Sequence, residues 1–559
     1  MKKLILFLFL IFNFTFFAQI KRETRAVWVA TNFHLDWPPK TYDAETQKIA
    51  LYQIFTNINN KKLNTVYFQI RSSGTVMFNS SYEPFSPYLT GTTGKAPNYD
   101  PLKLAIRIAH KKGLELHAWF NVMRCFSGTE KVINKHSDWV VKYSKNGKST
   151  FWLDPGLPAV RVYLVNLISQ VVSNYDVDGI HLDFLRYPGI NFNDDYSYNL
   201  YGNGKNKSEW RRENITEFLR MLYNAVRKIK PFVKIGVTPF GIYKNKKWAV
   251  GTQGYSNVFQ DTREWLRLGY IDYAVPQIYW NMEDNPRFDV LAEDWLSNSF
   301  NKNIILGIAA YKPEVKSELN KLIRFSRSAN AAGVAFFRYG SIKNYQFKIF
   351  KNRAFPSTLP RLESGNPLPP ANLKAIVSVA FPNKIELRWD LPNRYDGSDS
   401  IKYYALYKLR NPNDSLSGMN LYDIFEADKT SVALLIYIPR QIKYYFALKS
   451  VDKLWNESLN SSNIVEVTLP AIKGIAKQMK IFDKPVLVKN VDDTYKLLLF
   501  STKADSIVIL AGNSSEQIIL KYSRILTGKN IISLKNNFQR YSTLIIKYLN
   551  SGKEVKLKL

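Results

Sequence analysis

The segment Asp178-Gly-Ile-His-Leu-Asp-Phe-Leu-Arg-Tyr-Pro188 sets His181 and Asp183 two residues apart in a short apolar run that stops at a proline. Residues two apart in a β-strand share a face. The spacing therefore predicts an ionisable pair on one face of an otherwise buried strand, at its C-terminal end. A buried carboxylate is costly unless it is partnered or put to use. The chemistry such a group supports is proton transfer or nucleophilic attack. A lone histidine in such a run is more often a satisfied core group than a reacting one.

Seven further segments of the same kind accompany this one. The set is Arg25–Thr31, Thr65–Arg71, Leu114–Asn121, Gly179–Tyr187, Lys234–Gly241, Tyr273–Trp280, Asn303–Tyr311 and Gly333–Gly340. Helical periodicity fills most of the gaps, as in Ala44–Lys62, Pro101–Lys112, Val160–Tyr175, Trp210–Lys230, Asp261–Leu268 and Val315–Ala332. Eight βα units predict a (β/α)8 TIM barrel, whose site lies where strands end and βα loops begin. A doubly wound open sheet is the rival, but no Gly-rich phosphate loop follows the first strand. The strand ends are unusually polar and aromatic: Asn32, His34 and Asp36, then Gln69 and Arg71, then His117, Trp119 and Asn121. His181, Asp183 and Arg186 follow, then Gln277, Tyr279 and Trp280, and finally Arg338 and Tyr339.

The rest of the chain reads as β-structure. A Pro-rich linker, Gly365-Asn-Pro-Leu-Pro-Pro370, precedes short alternating strands up to residue 468, the pattern of a β-sandwich. Alternation continues from 476 to 559 in a second small β-domain. The expected divisions are 1–18, 19–360, 369–468 and 476–559, with the barrel able to fold and act alone. Residues 1–18 open with Met1-Lys-Lys and an apolar run ending at Ala18, the pattern of a signal peptide. Export to the periplasm, cell surface or medium is expected, with no transmembrane span after its removal.

The formal net charge of +32 favours anionic partners: acidic glycans, teichoic-type polymers, nucleic acid or lipid headgroups. There is no zinc-ligand cysteine set, helix-turn-helix pattern or dominant basic block, which argues against nucleic acid. Cys125 is the single cysteine, so no intrachain disulfide forms. His34, His110, His117, His136 and His181 show no metal-ligand spacing. No metal and no cofactor are expected.

Gln69-Ile-Arg71, Tyr88-Leu-Thr-Gly-Thr-Thr-Gly94, Asp100-Pro-Leu102 and Glu115-Leu-His-Ala-Trp-Phe-Asn121 occur in that order. Trp152-Leu-Asp-Pro-Gly156, Asp178–Pro188, Thr238-Pro-Phe-Gly241 and Pro276-Gln-Ile-Tyr-Trp280 follow. In these motifs the barrel resembles the glycosyl-hydrolase-like 10 family. The resemblance implies a glycosidase-related TIM barrel, with peptide-free peptidoglycan strands among the substrates of its members. Residues 369–468 resemble a fibronectin type III module through Trp389, Tyr445 and Val451-Asp-Lys-Leu-Trp-Asn-Glu-Ser458. The chain departs from many family members at Phe184 and Thr75, where they carry carboxylates. These departures favour the alternative of a glycan-binding barrel without catalysis.

Glycoside cleavage usually takes two carboxyl groups. Asp183 is expected to be one, as nucleophile or base, with His181 or Arg71 setting its charge state. Glu83, Glu283, Asp36 and Asp284 are the candidates for its partner. Arg71, His117, Trp119, Asn121, His181, Arg186, Gln277, Tyr279 and Trp280 are expected to bind the sugar, the aromatic ones by stacking.

Overall fold

The structure, a computed structural model, describes residues 22–125, 136–359, 365–377, 384–392, 401–435 and 442–469, with shorter stretches between 485 and 558. The expected leader at 1–18 lies outside the described residues. Eight parallel strands close into a barrel: β1 (Thr24–Val29), β2 (Thr65–Arg71), β3 (Glu115–Asn121), β4 (Gly179–Asp183), β5 (Lys234–Val237), β6 (Tyr273–Ala274), β7 (Asn303–Ile308) and β8 (Gly333–Phe336). Each pairs with its sequence neighbours, and β1 closes the ring by pairing with both β2 and β8.

The outer helices follow from local signals. Helix α1 (Ala44–Asn60) is capped by Asp43, which accepts from Thr46 N–H. Helix α2 (Pro101–Lys111) begins with Pro101 behind the Asp100 cap. Helices α3 (Pro158–Asn174) and α4 (Lys207–Ile229) follow β3 and β4. A further helix, Phe288–Leu296, fills the gap after β6.

Six of the eight strands end before the expected segments do, and two of them show why. β4 stops at Asp183 because Phe184 turns to φ 51°. β6 keeps only Tyr273–Ala274, since Pro276 has no N–H to give the ladder; beyond it Gln277 pairs through isolated bridges to Phe240 and Gly307.

Residues 371–469 form a three-stranded and a four-stranded sheet, with Leu387 and Trp389 of one sharing a core with Leu406 and Phe446 of the other. The last segment repeats that division around Leu497, Ile509 and Ile546, and its outer face meets Ile49 of α1 through Val508 and Leu510.

The linker does not leave the barrel free-standing. Phe355 belongs to one buried cluster with Tyr403, Tyr407 and Val451 of the four-stranded sheet and with Trp455 of the turn that follows Val451. The contact covers the barrel's underside, where strands begin. Asp178 there accepts from His110 Nε2 at 2.9 Å, Leu116 N–H at 2.8 Å and Lys402 Nζ at 2.6 Å. Burial alone would raise this carboxylate; Lys402 and His110 more than offset it and hold it well below the usual range. Lys402→Met keeps most of the stem but strands a buried anion. We expect it to destabilise the full chain by about 3 kcal/mol at neutral pH. An unchanged chemical-unfolding midpoint in that variant would show that the junction contributes nothing.

Candidate functional site

Inward-facing residues of β1 to β6 fill the barrel axis with polar rings rather than the usual branched aliphatics. Trp28 Nε1 donates to His181 Nε2 at 3.0 Å, and His181 Nδ1 meets the Tyr273 hydroxyl at 3.2 Å. Tyr273 meets His117 Nδ1 at 2.7 Å, and His117 Nε2 meets Glu115 at 3.2 Å. An indole N–H can only donate. Burial and the neighbouring His117 hold His181 well below its usual pKa, so it is neutral. Its one proton must then sit on Nδ1 and point to Tyr273. The assignment that uses every group once runs in one direction, from Trp28 down to Glu115. That carboxylate also takes Lys234 Nζ and Trp455 Nε1, both at 2.7 Å. Burial would raise Glu115, but Lys234 and His117 outweigh it and keep it low.

Glycines make room for these rings. A Cβ on Gly236 would lie 1.9 Å from the Tyr273 ring, and one on Gly179 would lie 2.6 Å from His117 Nδ1. Tyr67 stacks on His181 with ring centres 4.0 Å apart and planes 6° from parallel.

Above this column, at the C-terminal ends of the strands, lies a cavity of about 230 Å³. Trp28 and Trp119 line it with Tyr279 and Phe337, and Gln69, Asn121 and Gln277 supply amides. Strand register sets Trp119 beside His181 and Asn121 beside Asp183. Gln69 Oε1 accepts the N–H groups of Thr31 and Asn32, and Asn121 Nδ2 donates to Ser72 O, so both amides are held from behind. Trp119 Nε1 is buried and faces Asp183, whose ionised form it helps to stabilise.

Asp183 is the one carboxylate among the described residues that line this cavity. Its Oδ1 accepts the Phe184 N–H at 2.7 Å, which the left-handed turn at Phe184 aims backward. Burial pushes Asp183 up to about 6, against the opposing pull of that N–H and of Arg186. Arg186 is fixed by rings on three sides, its guanidinium 5.0 Å from the centres of Trp152, Phe184 and Phe240. Arg124 sits 5.2 Å over the Phe184 ring and also lines the cavity. A proton-exchanging carboxylate between two arginines and an aromatic floor is suited to acid–base work on a bound sugar.

The structure brings Trp119, Asn121, Asp183, Arg186, Gln277 and Tyr279 together in the cavity. It does not bring the expected partner acids there. Glu83 is buried against Arg71, accepting from Nε at 2.8 Å and Nη2 at 2.7 Å. Arg71 is spent on that pair and on the carbonyls of Asn121 and Val122, so it cannot reach a sugar or set the charge of Asp183. Glu283 is exposed on the loop after β6, where its N–H donates to Asn281, and Asp284 accepts the Asn281 N–H. Asp36 is tied to Arg338 and to the N–H groups of Ala30 and Gly340. His117 and His181 belong to the column below, and Trp280 packs beside Gly241. Arg124, Gln69, Trp28 and Phe240 line the cavity without having been singled out as sugar-binding. Gln69 carried a signal, two residues before Arg71 at a strand end; Arg124, on a short strand paired with Trp152 beyond the barrel, carried none. Among the described residues no three His, Cys, Asp or Glu side chains lie close enough together to hold a metal ion.

A TIM barrel with an acid–base carboxylate in an aromatic cleft at its strand ends is the form of a glycoside hydrolase. The profile of the glycosyl hydrolase-like 10 family matches residues 23–322, and the chain belongs to that family. It is 35% identical over 320 residues to glycosyl hydrolase YngK of Bacillus subtilis, covering 53% of this chain and 62% of that protein. It is 33% identical over 331 residues to glycosyl hydrolase DigH of Escherichia coli, covering 53% of this chain and 74% of that one. The chain thus spans less than two thirds of YngK. The glycoside hydrolase domain of PgaB (BpsB) from Bordetella bronchiseptica aligns with 58% of this chain and 99% of its own at 15% identity, with a TM-score of 0.43.

The environment of Asp183 generates a direct test. Its carboxyl carbon, followed by NMR, should titrate with a midpoint near pH 6. A midpoint in the ordinary range, about 3.9, would mean that the cavity does not desolvate it.

Proposed function

We propose that this chain is an exported glycoside hydrolase that cleaves an anionic cell-wall glycan, with Asp183 as the residue that moves the proton. The observation that carries this reading is the single half-buried carboxylate, raised to about 6, on a pocket of aromatic rings and two arginines. In its acid form Asp183 can protonate the departing glycosidic oxygen; in its ionised form it can draw a proton from water. A pKa near working pH serves both steps. Trp28 and Trp119 offer faces for a sugar ring, and Arg124 and Arg186 offer a place for an acidic substituent.

Peptide-free peptidoglycan strands are the substrate we place first, since every second sugar carries a carboxylate for those arginines. The apolar leader after Lys2 and Lys3 supports export. We read 369–468 as a fibronectin type III-like module, supported by its three-plus-four strand arrangement. One observation favours a second reading, a glycan-binding barrel without turnover: the described lining supplies one carboxylate where two are usual.

The two readings separate on Asp183→Asn. Incubated with purified peptide-free strands, the wild type should release new reducing ends, and the variant should be slower by roughly 100-fold or more while binding the strands as before. No release by the wild type, with binding intact, would leave the binding reading standing. Release by the variant within a few-fold of wild type would remove Asp183 from the chemistry.

A further inference from the structure

A second cavity, of about 610 Å³, lies where the barrel's underside meets both β-domains. It is built from the ends of α1 and α2, the turn after Leu421–Glu426 and the strand Gln517–Ile525. Lys62, Lys112, Lys429 and Arg524 face it from four separate elements. None of these four has a carboxylate within ion-pair distance among the described residues. Two carboxylates also line the space: Asp423 is paired with Arg353 at 2.9 Å, and Asp505 accepts the Ser506 N–H. The positive charge is therefore in excess.

Lys62 and Lys112 stand just past helix C-termini, where carbonyl dipoles favour cations. That accounts for two positions and for neither Lys429 nor Arg524. Nor is the favour enough: burial, then Arg353 for Lys62 and Arg524 for Lys112, pushes both amines down to about 8. Like charges gathered in a concave space are unfavourable until an anion enters. Two rings line the walls, Tyr52 with Lys112 Nζ 4.2 Å above it and Tyr422 with Lys408 Nζ 4.7 Å away.

We propose that this cleft is a second binding site, for an acidic segment of a carbohydrate chain. The cations recognise the carboxylate or phosphate groups, and Tyr52 and Tyr422 hold Lys112 and Lys408 in place on the walls. A concave site between domains admits a strand and not a flat membrane. Lys62 and Lys112 precede β2 and β3, at the opposite end of the barrel from Asp183. A strand held here leaves the catalytic cavity open, so the cleft would tether polymer while the barrel works on another stretch. The carbohydrate class and the role as a tether rest on the glycan reading above; the binding of an anion does not.

The test is calorimetric titration of the full chain at physiological ionic strength with tetragalacturonate, beside a neutral hexose tetramer, tripolyphosphate and a short oligonucleotide. Tetragalacturonate should bind, with proton uptake at pH 8 as the two lysines become charged, and the neutral tetramer should not. The double variant Lys112→Gln/Arg524→Gln should weaken the charged sugar at least tenfold. Lys429→Gln, at an exposed position that folding does not need, should weaken it by a smaller factor. Binding of tripolyphosphate alone would reduce the cleft to a phosphate site and overturn the carbohydrate assignment. Tighter binding of the oligonucleotide, equal binding of the neutral tetramer, or unchanged affinity in both variants would each overturn it too. Asp183→Asn should bind tetragalacturonate at the cleft like the wild type, so loss of turnover and loss of this binding remain separable.

Discussion

The structure depends on a buried anion at the foot of the barrel axis. Glu115 is almost fully buried, and it is tolerable there because Lys234, His117 and Trp455 all point at it. Everything above it follows. With Glu115 accepting, His117 donates from one ring nitrogen and accepts at the other; Tyr273 and His181 then take defined roles, and Trp28 ends the series as floor of the cavity. The rings require Gly179 and Gly236 beside them. The same anion draws in Trp455 from the neighbouring β-domain, so the catalytic end and the docking end of the barrel share one hydrogen-bonded column. A network of this kind is stable when every member is satisfied and costly when one is not.

This column also explains what could be read from sequence. Eight strands and most of their helices were legible because period two and period 3.6 survive in each segment. Asp183, Trp119, Asn121, Gln277 and Tyr279 were legible because strand ends in such a barrel point at the site. The partners of Glu83 were not. Twelve residues separate it from Arg71, and only the loop's path shows that the two neutralise each other. His181 had the same strand face as Asp183 but one step lower, which is the difference between lining a cavity and supporting its floor. The docking of the β-domain was hidden by a linker whose composition suggests separation, while Lys402 and Trp455, which close the contact, look like ordinary strand and turn residues.

The cavity itself is economical. Its one described carboxylate is raised to about 6 by burial, and the backbone turn at Phe184 keeps an N–H on it. The Phe184 ring, straight after Asp183, seats Arg124 and Arg186 and so organises positive charge at the cavity. Both ends of the barrel thus carry cations at a concave surface.

The central claim is that the sugar to be cleaved sits on the Trp28 and Trp119 floor with its glycosidic oxygen at residue 183. The most direct measurement is a crystal structure of the Asp183→Asn protein with an acidic oligosaccharide of the substrate class. One ring should occupy the cavity, with its bridging oxygen about 3 Å from the residue-183 side chain and its acidic substituent toward Arg124 and Arg186. An oligosaccharide that binds with full occupancy elsewhere on the barrel and leaves this cavity empty would contradict it.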